Sequence, residues 1–312
     1  MAAGANSAKG AKGQVFAASA YRNLVDGQKV TLTGKGYKPT RMKLGIWRWP
    51  LCALTGLLFA FALGLPVATL IWQSLFIKPT LPFMAGSGDM TWENYAFVLH
   101  YPIFVDAVTT SVSLGAMTAT IIVGLTFLLA WIAQRAIPRF GWMVDLLAFL
   151  PIAFPSIIVG ASILFAYLLL PIPVYNTIWI LLIAYLTLYM PYGMRFASGG
   201  LVQIHKELEE AAHTSGASYG QVFRRILFPL LVPVALSAWI YIFVLAVREL
   251  GASIMLVGPG THVLGTISLT MWEEGGSYGA VCALGVIQIL PLIAIVALLR
   301  WLEHRIQNVE NQ

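Results

Sequence analysis

From Leu146 to Met194 the sequence contains no charged residue. Soluble domains carry about one charged residue in four, so a run of this length belongs in hydrocarbon. It is also too long for one crossing, which takes about 20 apolar residues. Pro171-Ile172-Pro173 interrupts it, followed by Tyr175 and Asn176. The run is therefore predicted to be a hairpin of two spans, residues 146–170 and 177–194. Pro151 and Pro155 are expected to distort the first of these, with neighbouring helices satisfying the freed carbonyls.

The same reasoning places the other spans. No charge occurs from Trp49 to Ile77, from Ala107 to Gln134, from Ile226 to Val247, or over 278–299. Arg195 is read as the end of span four. Residues 250–272 are also uncharged, but Gly258-Pro259-Gly260 divides them into two short arms. That pattern fits a re-entrant or interfacial hairpin better than a crossing. The polar loop from Lys78 to Asp106 carries Trp92, Tyr95 and Tyr101, which suit a membrane interface. The chain is thus read as all-α and polytopic, with six transmembrane helices over 49–312 behind a basic tail or linker, 1–48. No apolar core follows Met1, so no signal peptide is read there.

With six spans, seventeen of the nineteen Lys and Arg residues fall on the side of the N-terminus, and only Lys78 and Arg248 on the other. That asymmetry predicts both termini in the cytosol. The net charge of +6 then reports topology in a lipid membrane, and no nucleic-acid partner is expected. Cys52 and Cys282 both lie in apolar stretches and are read as unpaired thiols.

One polar island remains, Glu207 to Pro229, between spans four and five and so on the cytosolic side. Lys206 to Ala212 are good helix formers. Gly216 can take the positive φ that ends a helix. Ser218 and Gln221 have the form of a capping box ahead of Val222, Phe223 and Ile226. The island is predicted to be a helix, a tight turn, and a second short helix running into Pro229. The two flanking spans argue against a helix-turn-helix DNA reader.

The island's spacing is Glu210-Ala211-Ala212, three residues, Gly216, nine residues, Ile226-Leu227-Phe228-Pro229. It resembles the EAA loop of binding-protein-dependent ABC importer permeases; Phe228 stands where Leu is usual. Pro191-Tyr192-Gly193-Met194-Arg195 and Arg248-Glu249-Leu250-Gly251-Ala252-Ser253 resemble the ferric-iron branch of that family, and the whole resembles its C-terminal six-span half. Residues 31–49 resemble the segment joining two fused halves, and the Met1 start implies a split subunit or a C-terminal half. The resemblance implies a type I permease fold in a bacterial inner membrane, with 196–228 as the coupling loop. Glu210, Ala211, Ala212, Gly216, Ile226 and Pro229 would then form the ATPase-coupling site. The implied partners are a dimer of cytosolic ATP-binding-cassette ATPases, a second permease half and a periplasmic substrate-binding protein.

No Walker A sequence, zinc spacing or nucleophile elbow occurs, so no catalytic residue, metal site or cofactor is expected in this chain, and ATP would be bound by the partner. Arg248 and Glu249, at the outer end of span five, are expected either to snorkel as an interfacial pair or to help form an outer gate. Ferric iron is the expected cargo; thiamine, polyamine, phosphonate and sulfate-type anions are alternatives. A secondary transporter or channel would need ionisable residues within the spans, and the spans as read hold none.

Overall fold

A computed structural model describes residues 45–81, 90–169, 176–274 and 277–310, and no strand occurs among them. Two compact units divide the chain, Met1–Phe59 and Ala60–Gln312. The helical stretch α1, Gly45–Ser74, contributes residues to each. In the second unit follow α2 (Glu93–Leu99), α3 (Phe104–Ala136), α4 (Gly141–Ala153), α5 (Ser156–Leu169), α6 (Ile178–Val202), α7 (Lys206–Thr214), α8 (Tyr219–Val247), α9 (Ser253–Leu256), α10 (Leu264–Glu273) and α11 (Tyr278–Glu310). Most of the predicted tail, and the predicted break at Pro171-Ile172-Pro173, lie outside the described residues.

Among the described residues five helices are long and apolar enough to cross a membrane, namely α1, α3, α6, α8 and Tyr278–Ala297 of α11. The predicted third span is not one helix. α4 and α5 meet at 104°, so together they make either a sixth, broken crossing or a re-entrant loop. Sterics explain the angle. Pro155 disfavours α geometry in the residue before it, and Phe154 is extended, at φ −110° and ψ 136°.

Two further boundaries differ from expectation. α6 does not stop at Arg195; it runs on to Val202. α8 does not begin near Ile226 or break at Pro229; it is helical from Tyr219 to Val247. Pro229 has no N–H with which to continue the ladder. One turn of π-helix, Phe223–Leu227, precedes it, and there the N–H of Phe228 bonds back to the carbonyl of Phe223. The wider turn carries the helix past the missing donor. Residues 250–272 do form two short helical arms, α9 and α10, around a turn in which Thr261 N–H bonds to Gly258 O at 3.0 Å.

Helices α3, α6 and α8 form the centre of the second unit. Leu114 and Ile122 of α3, Ile180 and Tyr185 of α6, and Ile242 of α8 are fully buried among themselves and their neighbours. The backbones approach closely. A Cβ on Gly193 would lie 2.4 Å from Ile122 Cγ2 and 2.8 Å from Thr126 Oγ1. Small residues at helix crossings do this work in membranes, where the lipid is as apolar as the interface. At the outside of the unit, α11 packs on the Leu65–Ser74 part of α1 and on α2. Buried Asn94 ties that corner: its Nδ2 donates to the carbonyls of Ser74 and Phe76, and its Oδ1 accepts from Ser277.

Candidate functional site: an elbow and a groove

The loop between α6 and α8 is a built elbow. α7 ends in a Schellman motif: Gly216 N–H bonds to His213 O at 2.9 Å and Ala217 N–H to Ala212 O at 3.0 Å, with Gly216 at φ +86°. Only a residue without Cβ takes that conformation at no cost. Two residues later α8 begins on the expected capping box. Ser218 N–H donates to Gln221 Oε1 at 2.9 Å, and Gln221 N–H to Ser218 Oγ at 3.4 Å. The His213 ring sits 4.4 Å from that of Tyr219, bracing the two helices across the turn.

One side of the elbow is cemented to the membrane helices. Val222 and Leu227 are buried with Phe127 and Ala130 of α3 and with Met194, Ala197 and Leu201 of α6. Trp131 stacks obliquely on Phe223 at 5.4 Å. Arg135 then closes the joint. Its Nε lies 2.8 Å from Glu209 Oε1, with both side chains about nine-tenths buried. Its Nη2 donates to Ile204 O at 2.8 Å and to Leu201 O at 3.2 Å. One guanidinium thus joins the end of α3, the end of α6 and the first turn of α7. Neither Arg135 nor Glu209 is apparent from the sequence as a site residue. They are 74 positions apart, and Glu209 stands in the charged run Lys206-Glu207-Leu208-Glu209-Glu210, which reads as solvent-facing.

The expected coupling residues divide between two faces. Glu210, Ala211, Gly216 and Pro229 are exposed. Ala212 and Ile226 are half-buried and pack inward on the elbow's own core. The free face of α7 also presents Leu208, 49% exposed, and Tyr219 at the start of α8 is 67% exposed.

At the opposite end of α8, Arg248 and Glu249 do not pair with each other. Glu249 is half-buried: Tyr189 O–H donates to its Oε2 at 2.5 Å, and Ala252 N–H to its Oε1 at 3.1 Å. Tyr185 O–H lies 2.7 Å from Ser253 Oγ, which donates to Glu249 O. Arg248 stays exposed and lines a cavity of about 350 Å³ together with Tyr189, Tyr192, Pro151 and Ser156. A second cavity of about 530 Å³ shares Tyr192 and Ile152 with the first and adds Arg195, Phe196 and Tyr241. A third, of about 400 Å³, continues from Arg195 and Phe196 to Gln203 and Ser237. The three make one groove along α6 and α8.

Arg195, expected to close span four, instead lines the groove from within a helix that runs on past it. It is inside the membrane-length helix α6, seven residues before its end. Among the described residues no three His, Cys, Asp or Glu side chains are grouped so as to hold a metal.

The motif at the elbow's turn and the helical bundle around it agree with what comparison shows. Residues 127–308 match the family model described as "Binding-protein-dependent transport system inner membrane component", which is more than half the chain. The chain belongs to this family. As a member it is a permease subunit of the ABC importer class. It is 29% identical over 255 residues to the permease PhnV of Salmonella paratyphi A, named for 2-aminoethylphosphonate transport, covering 81% of this chain and 92% of that one. It is 29% identical over 290 residues to the ferric transport system permease protein FbpB of Actinobacillus pleuropneumoniae, covering 88% of this chain but 39% of that one. Further relatives are named for sulfate and trehalose transport. In fold, the permease is similar to a chain of a bacterial ABC transporter involved in the import of the acidic polysaccharide alginate. The TM-score is 0.64 at 18% identity, over 83% of this chain and 96% of that one.

Proposed function

We propose that this permease is one transmembrane half of an ATP-driven importer, with the elbow facing the cytosol as the seat for an ATPase. The observation that carries the reading is the elbow's two-sidedness. Its inner side is fixed to α3 and α6 through Arg135 and a buried apolar cluster. Its outer side leaves Glu210, Ala211 and the Gly216 turn uncovered. A seat must be rigid toward the part it moves and open toward the part that moves it. Glu210 offers a carboxylate for a basic group of the ATPase, and Ala211 lets its surface come close.

The remaining assignments follow from that seat. The elbow end is cytosolic, as are both termini of the chain, and the Arg248 end meets a periplasmic binding protein at an outer gate. A second permease half covers the groove. Such a cover would also shield Arg195 from lipid, where a charge is costly. ATP is bound and hydrolysed by the partner, not by this chain. Among cargoes, ferric iron has the FbpB relative in its favour and phosphonate the PhnV relative.

The test is a pull-down from membranes with the intact permease, Glu210→Lys and Gly216→Asp. An ATP-binding-cassette ATPase should co-purify with the intact chain and be lost or uncoupled with either variant. Transport by the intact chain with no ATPase present would overturn the reading.

A further inference from the structure

Resting on the permease reading above, we propose that Arg195 and Arg248 are successive cationic contacts for a cargo bearing an oxyanion. A phosphonate, phosphate or sulfate group would suit them. Position along the helices is the first argument. Phe196, the neighbour of Arg195, packs 5.7 Å from Tyr241, which is six residues before the end of α8. At a rise of 1.5 Å per residue, Arg195 is thus about 10 Å inside the elbow end of α6 and level with a point about 9 Å inside the opposite end of α8. Measured along the two helices, it stands clear of both those ends.

The second argument is charge. Arg195 is exposed, lines two of the three joined cavities, and has no ion-pair partner among the described residues. Arg248 likewise has none. The carboxylate nearest Arg248 is committed, because Tyr189 and the Ala252 N–H occupy both oxygens of Glu249. The uncompensated charges along the groove are therefore both positive. A bare trivalent cation would be repelled at each, and a neutral sugar would gain little from either. A tetrahedral oxyanion accepts two parallel N–H bonds from a guanidinium, and the phenols of Tyr192 and Tyr241, beside Arg195, can add donors.

The test uses the complete transporter, with its ATPase and binding protein, in proteoliposomes loaded with ATP. Uptake of labelled inorganic phosphate, sulfate, 2-aminoethylphosphonate and ferric iron is compared for the intact protein, Arg195→Gln, Arg195→Lys and Arg248→Gln. At least one anion should be carried. Arg195→Gln should raise its KM tenfold or more while the assembled complex still hydrolyses ATP; Arg195→Lys should recover part of the loss. An Arg195 that only holds the two halves together would instead disperse the complex on gel filtration, and that result would overturn the proposal. Uptake of ferric iron alone, or an Arg195→Gln variant that carries the anion normally, would overturn it as well. If no ATPase assembles with the intact chain, the permease reading itself fails and takes this proposal with it.

Discussion

Arg135 Nε and Glu209 Oε1 stand 2.8 Å apart, and that pair is the only ion bridge from the elbow to the membrane helices among the described residues. Removing one partner of a buried pair leaves the other charge uncompensated, at a cost of roughly 3 kcal/mol. Arg135→Gln should therefore lower the unfolding midpoint of the purified permease. It should also uncouple ATP hydrolysis from transport while leaving the ATPase bound. In a double-mutant cycle with Glu209→Gln, the two losses should be markedly non-additive. Additive losses would show that the pair does not fix the elbow.

Gly216 makes a different prediction, because its constraint is conformational and not steric. Nothing lies within 4 Å of where its Cβ would be, yet its φ is +86°. Gly216→Ala should cost about 1 kcal/mol, and Gly216→Asn less, since Asn tolerates the left-handed region. Thermal denaturation of the three proteins checks the order. Equal loss for Ala and Asn would point to contact, not backbone geometry.

Gly193 is the reverse case. Its helix geometry is ordinary, but a Cβ would meet Ile122 Cγ2 at 2.4 Å. Gly193→Val should force α6 away from α3 and destabilise by roughly 1–3 kcal/mol. Pairing it with Ile122→Ala should restore part of the midpoint.

Tyr189→Phe removes the O–H that donates to Glu249 Oε2 and Leu245 O. A half-buried carboxylate is left with the Ala252 N–H alone. The expected loss is about 1.5–3 kcal/mol, as for other hydrogen bonds to charged groups. In the importer proposed above the same change should alter uptake without releasing the ATPase, whose proposed seat is the other end of α8. Release of the ATPase by this variant would contradict the assignment of ends.

Outside the spans, Tyr101 O–H donates to Glu274 Oε2 at 2.6 Å. Burial first, and then this bond and the carboxylate's charge, push the phenol from 10.0 up to about 12. The folded protein thus holds the proton more tightly than the unfolded chain does. The contribution is complete below pH 10 and is lost as the pH rises from there through about 12. Midpoints of intact protein and Tyr101→Phe should differ at pH 8 and converge by pH 12.

The elbow was legible because its rules are local. Gly216 ends a helix and Ser218 with Gln221 starts one, each within a few residues. The helical, multi-span architecture was legible from the uncharged runs. The place of Arg195 within a longer helix and in a groove was not. Reading a charge as the end of a span assumes that the helix faces lipid, and α6 instead turns that residue into a groove. The 104° break at Pro155 was foreseen as a distortion but not in size, since two prolines four residues apart do not state an angle. The link from Arg135 to Glu209 depends on how three helix ends meet, which no local pattern records.

The π turn at Phe223–Leu227 has a mechanical meaning. By carrying the chain past Pro229 it makes one rod of the elbow's second helix and the span above, about 42 Å from Tyr219 to Val247 at helical rise. No hinge loop interrupts that rod to soak up a push. In the importer proposed above, a shove on Tyr219 at the seat would reach Arg248 and Glu249 at the far end as a single stroke, with opening below and closing above as two ends of one lever.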